Sequence, residues 1–253
     1  MNTNMHLAHY FRYEWERPGL IVVNGEAQEI WKGYENYCRR YSIPAPAPDS
    51  KEMLMRFFAC AGLAAVSLPE PEQWGWSVSF PGLSTGLFCG VEPEGMVCGT
   101  VIKSDPDVNL AAVQRKAKNL PVTQSRFSLI TQDPVEAIER YFEESDQTLI
   151  RIAVDNHGRA TLLRPMPGGN FDDIEGLSDG ELINRCFGLA DSGELISLEE
   201  VLLFYECPCD LRQIEKMIIS LPGDQQTELW GDLDRLEVSC PRCGRKYTVK
   251  RGR

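Results

Sequence analysis

Cys207-Pro208-Cys209 and Cys240-Pro241-Arg242-Cys243 are two tight cysteine pairs near the C-terminus, separated by 30 residues (210–239). Zinc takes four thiolates tetrahedrally, and a Cys-x-x-Cys turn presents two sulfurs to one ion without strain. The spacing therefore predicts a zinc site with no open ligand position, which is typical of structural zinc. A disulfide across Cys-x-Cys would close a strained small ring and be easily reduced. A metal site that also responds to oxidation is therefore the alternative to a permanent structural ribbon.

The segment before these cysteines is strongly acidic. It carries ten carboxylates and one arginine, and so accounts for −9 of the chain's net charge of −11. Two serine–glutamate pairs, Ser178 with Glu181 and Ser197 with Glu200, predict capping boxes that open short amphipathic helices. Helices this short need tertiary packing to persist, so residues 168–206 are predicted to form a metastable helical linker. A passive acidic connector with two docked helices is the alternative. The carboxylates belong to Asp172, Asp173, Glu175, Asp179, Glu181, Asp191, Glu194, Glu199, Glu200 and Glu206.

The region before residue 168 mixes strand and helix patterns without a regular alternation. That mixture predicts an α+β fold, and 43% apolar residues are enough to fill a core. We expect an N-terminal domain over residues 1–167 and a small C-terminal domain over residues 207–253. Predicted strands cover residues 19–23, 74–80, 87–91, 96–102, 149–154 and 160–164. Predicted helices cover residues 26–38, 134–142 and a largely apolar stretch that Ser50 caps and that runs to Ala64.

The hairpin over residues 87–102 contains two of the five cysteines outside the C-terminal cluster. A turn at residues 92–95, with Val91 opposite Met96, would place Cys89 directly opposite Cys98 on one face of the sheet. The expected role of these two side chains is packing, because free cysteine is among the most buried residue types. An accessory redox pair is the alternative.

Composition and charge exclude several classes of function. The net charge of −11 disfavours general nucleic-acid binding, which needs basic surface. The longest apolar run, residues 57–68, is too short to cross a bilayer, and the N-terminus lacks the pattern of a secretory signal. The cysteines outside the cluster lack the spacing of a disulfide framework, which is typical of a reducing compartment. We therefore expect a soluble cytoplasmic protein with no nucleic-acid or membrane partner.

Catalytic patterns are absent from the sequence. It has no Ser-His-Asp arrangement, no phosphate-binding glycine loop and no dinucleotide fingerprint. A thiol oxidoreductase would place Cys240 at the N-terminus of a helix, whereas the residues around this pair predict a zinc-ribbon hairpin. We therefore expect a protein that is not an enzyme.

The C-terminal end of the chain is basic. We expect its cations to form a solvated face, because four thiolates around one divalent ion leave a negative charge that they would offset. Contact with nucleic acid is the alternative. The cations are Arg242, Arg245, Lys246, Lys250, Arg251 and Arg253.

Three further features accompany the cysteine pairs. They are Tyr141-Phe142-Glu143-Glu144-Ser145-Asp146-Gln147, Leu163-Arg164-Pro165-Met166-Pro167-Gly168, and the strand and hairpin patterns of residues 74–102. Together with the cysteine spacing, they make the chain resemble the heat-shock protein 33 family of redox-regulated bacterial holdase chaperones. The C-terminal match is specific, and a weaker similarity covers nearly the whole chain. Residues 103–130 and the N-terminal helices depart from the family pattern.

The resemblance implies a mechanism for each part of the chain. Reduced proteins of this family bind zinc through four thiolates, here Cys207, Cys209, Cys240 and Cys243, and are inactive as chaperones. Oxidation pairs Cys207 with Cys209 and Cys240 with Cys243, zinc leaves, the C-terminal domain unfolds and the linker loosens. The N-terminal domain then holds unfolded or oxidatively damaged client proteins without ATP, and a homodimer of the oxidised form is expected. A zinc-ribbon interaction module with one defined partner and no redox switching is the alternative function.

Overall fold

The structure, a computed structural model, describes residues 5–251 and has the α+β architecture that the sequence predicts. Within those residues it contains a large sheet, a separate two-stranded hairpin and six α-helices. The strands are β1 (Ala8–Trp15), β2 (Leu20–Glu26), β3 (Gln73–Ser79), β4 (Thr85–Val91), β5 (Met96–Lys103), β6 (Leu110–Lys116), β7 (Thr123–Ser128), β8 (Arg151–Val154), β9 (Arg159–Pro165), β10 (Ile196–Tyr205), β11 (Arg235–Ser239) and β12 (Lys246–Lys250). The helices are α1 (Gln28–Tyr41), α2 (Pro48–Val66), α3 (Pro134–Glu144), α4 (Asp179–Ser192), α5 (Leu211–Ile219) and α6 (Gly223–Trp230), with a short 3₁₀ helix at Asp172–Ile174.

Ten strands form one sheet in the order β7-β6-β3-β4-β5-β10-β1-β2-β9-β8. Neighbouring strands are antiparallel except β5 and β10, which run parallel near the centre. Strand β10 lies between β5 and β1 and so joins the two halves of the sheet. The sheet is therefore continuous only when the end of the acidic segment is in place.

Helix α2 lies across one face of the sheet and forms the main core. It is largely apolar on all sides, because a helix enclosed by a sheet and neighbouring helices has little surface facing water. Leu54, Phe57 and Phe58 are almost completely buried, and α3 packs alongside. The predicted cap at Ser50 is wrong, because the helix begins at Pro48, whose fixed φ suits the first helical turn.

Helix α4 covers the opposite face of strands β2, β8 and β9. Ile183 and Cys186 are fully buried there in a second core that includes Leu163. The capping box predicted at Ser178 and Glu181 is present, with each side chain accepting a hydrogen bond from the backbone amide of the other residue. The first half of the acidic segment is therefore a docked helix.

The second half of the acidic segment is strand β10, so the helix predicted from Ser197 and Glu200 is wrong. Strand β10 forms seven residue pairs with β1. Its carboxylates meet cationic or polar groups on that strand: Glu199 forms an ion pair with Arg12 at 3.0 Å, and Glu200 lies 2.6 Å from His9 Nδ1. Pairing with a strand distant in sequence therefore overrides the local capping signal.

The β4–β5 hairpin forms where the sequence predicts it, but its register differs by one residue. Val91 lies opposite Val97 rather than Met96, so Cys89 lies opposite Gly99 and Cys98 lies opposite Gly90. A shift of one residue sends a side chain to the other face of a sheet. Cys89 and Cys98 therefore face opposite sides, and their predicted direct pairing is wrong.

Strands β6 and β7 extend one edge of the sheet through residues 103–130, where the sequence predicted no strand. Strand β6 pairs with β3 over seven residues, and β7 pairs with β6 at the edge. The remaining predicted strands and the helix at residues 134–142 are present, and Asp133 caps that helix by accepting from the Val135 amide. Across residues 5–251, none of the helices combines the length and the apolar character needed to span a membrane.

Candidate metal centre

Two parts of the chain bring the four predicted cysteines together. Cys207 and Cys209 follow strand β10 and precede helix α5, while Cys240 and Cys243 lie in the turn of the β11–β12 hairpin. In this turn the Gly244 amide donates to the Cys240 carbonyl at 2.9 Å, and Gly244 has a left-handed φ of +78°, which glycine adopts without strain. The hairpin predicted around the Cys-x-x-Cys pair is therefore present. Residues 240–244 are called the knuckle below.

The four cysteine sulfurs form a compact cluster. All lie within 4.8 Å of one another, and Cys209 Sγ is 3.5 Å from Cys243 Sγ. All four cysteines are free thiols, and three of them are buried. Zinc–thiolate bonds of about 2.3 Å in a tetrahedron place the sulfurs roughly 3.8 Å apart, so the cluster has the donor set and dimensions for one such ion. The structure thus assembles a group of residues that could hold a metal.

The four thiols share their protons unequally. Hydrogen bonding from the Cys207 thiol lowers the pKa of Cys209 and lowers the pKa of Cys240 to about 7. The same contacts raise the pKa of Cys207, with Cys209 the largest contributor. Crowded thiols cannot all ionise alone, since each thiolate disfavours the next. A divalent cation would remove that restriction by replacing the shared protons.

Two tyrosine hydroxyls lie against the sulfur cluster. Tyr37, from helix α1, places its hydroxyl 3.4 Å from Cys243 Sγ, and Tyr247, from β12, places its hydroxyl 3.1 Å from Cys209 Sγ. Burial is the largest cause of the raised pKa of both phenols, so each keeps its proton. The Tyr247 hydroxyl donates to the Cys209 carbonyl oxygen at 2.9 Å, and the Tyr37 hydroxyl is positioned to donate to Cys243 Sγ. Donors of this kind orient and stabilise thiolates around a metal. Because Tyr37 belongs to the N-terminal region, it also connects the centre to the main core.

The knuckle is docked on the face of the sheet opposite α2. Arg242, between the two cysteines of the Cys-x-x-Cys pair, forms an ion pair with Glu92 in the β4–β5 turn. Glu92 is 8% exposed and also accepts a hydrogen bond from the Gln73 side chain at 2.9 Å. A Cβ at Gly90 would lie 2.8 Å from Arg242 Nη2, so the missing side chain provides the space that the guanidinium occupies. The expectation that Arg242 lies on a solvated face is therefore wrong.

Tyr37, Glu92 and Arg242 belong to the centre but were not identified from the sequence. Tyr37 and Glu92 are more than a hundred residues away from the cysteines they serve, and nothing in the local pattern indicates that contact. The one available signal was Arg242 itself, because a charged residue enclosed between two buried cysteines must find a partner. The predicted cysteines were sufficient to locate the centre, but the contacts that anchor it were not.

The chain is similar to known proteins in both sequence and fold. A sequence model of the family described as "Hsp33 protein" matches residues 34–250. A solved structure that matches is the 33 kDa chaperonin (heat shock protein 33 homolog) of Thermotoga maritima, with a TM-score of 0.68 and 16% sequence identity, covering 97% of this chain and 95% of that chain. Likeness at this identity shows a shared fold. A search of curated protein sequences found no match. The resemblance inferred from the sequence is confirmed by the family model.

Proposed function

Because the chain belongs to the Hsp33 family, we propose that it is a redox-regulated holdase chaperone, inactive with zinc bound and activated by oxidation. The observation that carries this proposal is the convergence of four thiols within 4.8 Å at a junction with the sheet. The proposed zinc ligands are Cys207, Cys209, Cys240 and Cys243. The chain would act as a binding protein and not as an enzyme.

The proposed role of zinc is to hold the C-terminal domain folded. Among residues 207–251 the core is small, and such a core contributes little stability by itself. Its large buried side chains other than cysteine are Ile214, Ile218, Trp230, Leu236, Tyr247 and Val249. A structural zinc site contributes on the order of 10 kcal/mol to a domain of this size. Loss of the metal is therefore expected to unfold residues 207–253.

Oxidation would remove the metal ligands. We propose that Cys207 pairs with Cys209 and Cys240 with Cys243, as the family resemblance implies. For each pair, two thiols lose two electrons and two protons while one hydrogen peroxide is reduced to two waters. A disulfide sulfur is a far weaker ligand than a thiolate, so the four cysteines no longer hold the domain together.

Strand β10 would transmit this change to the sheet. It ends two residues before Cys207 and pairs with β5 through only two residue pairs, against seven with β1. The Tyr205 hydroxyl reinforces this junction by donating to the Gly99 carbonyl at 2.7 Å. We call this contact between β5 and β10 the β5–β10 seam. Unfolding of the C-terminal domain would remove support from the seam, loosen residues 168–206 and uncover apolar surface of residues 1–167.

The proposed partners are unfolded or oxidatively damaged proteins. A holdase of this kind would need no ATP, and neither nucleic acid nor a membrane is a proposed partner. We propose that the protein acts in the cytoplasm during oxidative stress and that the oxidised form associates as a homodimer. Exposed apolar side chains already present on β10, Ile196, Leu198 and Leu202, support an apolar contact surface that could grow when the strand is released.

The test compares reduced, zinc-loaded protein with peroxide-treated protein. Each form is added to a thermally unfolding client enzyme, aggregation is followed by light scattering, and zinc release is recorded with a chromogenic chelator. Suppression by the oxidised form alone, with zinc release preceding it, is the expected result. Cys38→Ala, at a buried cysteine outside the cluster, is the matched control and should behave as the wild type. Equal suppression by both forms would contradict the switch.

One observation favours a second candidate function, an unswitched zinc-ribbon module that binds one defined partner. Strand β10 is an internal strand of the sheet, and Arg242 and Tyr37 anchor the centre to the N-terminal region. Such anchoring suits a permanent domain interface as well as a switch. Zinc retained through peroxide treatment, with an unchanged light-scattering curve, would favour this second function.

A further inference from the structure

Cys98 is a thiol outside the cluster that lies beside it. The register of β4 and β5 places Cys98 opposite Gly90, on the face where the knuckle docks. Cys89 lies opposite Gly99, whose missing Cβ would touch the Phe58 ring of helix α2. Cys89 therefore faces the core beneath α2, while Cys98 faces the metal centre.

Strand pairing brings Cys98 close to Cys207: Tyr205 pairs with Val97, so Cys207 is one residue beyond the position opposite Cys98. The Glu206 amide donates to the Val97 carbonyl at 3.0 Å, so Cys98 and Cys207 lie at the same end of the β5–β10 seam. The neighbouring Cys207 thiol is the largest cause of the lowered pKa of Cys98. Cys98 is fully buried, so its thiol does not face solvent.

Arg242 lies beside Cys98 in the space next to Gly90. A Cβ at Gly90 would lie 3.2 Å from Cys98 Sγ and 2.8 Å from Arg242 Nη2, so both groups line the same small space. Arg242 is held there by Glu92. Cys98 is thus enclosed between a metal-site cysteine and the cation of the knuckle.

We propose that Cys98 is a fifth redox thiol that competes with Cys209 for Cys207 and, when it bonds to Cys207, locks the β5–β10 seam. This inference rests on the proposed function in one respect: oxidation must reach Cys207. Hydrogen peroxide oxidises the Cys207 thiol to a sulfenic acid, and the other peroxide oxygen leaves as water. The Cys98 thiol then attacks the sulfenic sulfur, the S–S bond forms, and the displaced hydroxyl takes up the thiol proton and leaves as water.

Geometry favours Cys98 over Cys209, which is nearer in sequence, as the disulfide partner of Cys207. A bridge from Cys207 to Cys209 closes a strained ring, and Cys209 Sγ is held by the Tyr247 hydroxyl at 3.1 Å. Cys207 lies one residue, about 3.3 Å, beyond the position opposite Cys98 on a strand about 4.8 Å away. The two Cα atoms are therefore about 5.8 Å apart, within the roughly 4.4 to 6.8 Å that Cα atoms span across a disulfide. The Cys98–Cys207 bridge therefore forms without a change of fold.

The two bridges have opposite consequences. Pairing of Cys207 with Cys209 is local and lets residues 207–253 move away from the sheet. Pairing of Cys207 with Cys98 ties the first residue of that domain to β5 and keeps the seam closed. Cys98 thereby limits the fraction of oxidised protein that is released.

The experiment maps disulfides in the full-length reduced, zinc-loaded protein after peroxide treatment, by alkylation and non-reducing peptide mass spectrometry. A peptide linking Cys98 to Cys207 is expected in the wild type. Its yield should be at least threefold higher in Cys209→Ser, where the competitor is gone, than in Cys240→Ser, which also removes a proposed zinc ligand but keeps Cys209. Cys89→Ser is the matched control, since Cys89 is equally buried but faces α2, and its yield should equal that of the wild type. Recovery of Cys98 as a free, alkylated thiol in the oxidised wild type would overturn the proposal, whatever Cys209→Ser does.

A second measurement separates this inference from the chaperone proposal. Cys98→Ser should suppress client aggregation at least twofold better than the wild type at equal peroxide exposure, while Cys89→Ser should not differ from it. If the Cys98–Cys207 bridge forms but no oxidised variant suppresses aggregation, the chaperone proposal fails and the fifth thiol stands. If oxidation activates the protein while Cys98 stays free, the fifth thiol fails and the chaperone proposal stands.

Discussion

The ion pair between Arg242 and Glu92 should control how readily the metal centre leaves the sheet. Replacing Arg242 with Met keeps most of the apolar stem and leaves the Glu92 carboxylate with the Gln73 amide as its remaining partner. Removing one member of a fully buried pair destabilises a protein by about 3 to 5 kcal/mol. The side chains here are 28% and 9% exposed, so solvent screening reduces the expected loss to about 2 kcal/mol. That loss corresponds to about a 30-fold shift in the docking equilibrium.

The assay is peroxide-driven zinc release from the full-length protein, followed with a chromogenic chelator in stopped flow. If undocking precedes oxidation, Arg242→Met should release zinc up to about 30-fold faster than the wild type. Lys246→Met is the matched control: it breaks the Lys246–Glu237 pair of the same hairpin, whose side chains are 60% and 64% exposed, and should change stability by less than about 0.5 kcal/mol.

A double variant tests the physical reason. Adding Glu92→Gln to Arg242→Met removes the charge left without its partner, so the double variant should recover part of the lost stability and release zinc more slowly than Arg242→Met. Equal release rates for Arg242→Met and Lys246→Met would refute the argument, because a buried and an exposed ion pair would then contribute alike.

Four further predictions concern the metal, the acidic segment and the core. Elemental analysis should find one zinc per reduced wild-type chain and one in Cys38→Ala. The double variant Cys240→Ser, Cys243→Ser should contain almost no zinc, and zinc retained by it would contradict the ligand assignment. Tyr37→Phe deletes the hydroxyl 3.4 Å from Cys243 Sγ and should weaken zinc binding by about 10- to 100-fold in chelator competition, while Tyr41→Phe should not. After peroxide, hydrogen exchange should rise across residues 168–206 while residues 74–102 stay protected; an unchanged acidic segment would argue for a passive connector. Gly188→Ala adds a Cβ in helix α4 where there is open space, so the free energy of unfolding should rise by about 0.5 to 1 kcal/mol. Gly99→Ala would place its Cβ 2.5 Å from the Phe88 carbonyl oxygen, so the free energy of unfolding should fall by about 1 to 3 kcal/mol. Thermal unfolding measures both changes.

The sequence by itself determined the features whose cause is local. Cysteine spacing located the metal centre, since ligands two or three residues apart are presented together by any turn. Ser178 with Glu181 started helix α4, and Asp133 with Pro134 started helix α3, because a helix end is satisfied by side chains within four residues of it. The mixed pattern of strands and helices gave the fold class.

The tertiary structure decided the features that depend on distant partners. Ser197 and Glu200 carry the same capping signal as Ser178 and Glu181, yet they lie in strand β10, because β1 supplies backbone hydrogen bonds along that segment. A capping box satisfies the donors at one helix end, whereas strand pairing satisfies backbone groups along the whole segment.

The surroundings of the metal centre were settled in the same way. Val91 pairs with Val97, one residue later than the sequence predicted. Because side chains alternate between the two faces of a strand, this shift places Cys98 on the face of the metal centre and not on the face of Cys89. Arg242 reached Glu92, 150 residues earlier in the chain, through a space that exists only because position 90 is glycine. The sequence fixes which side chains can bind a metal through short-range spacing, but the contacts that anchor and regulate the site arise from strand register and docking, which only the folded chain defines.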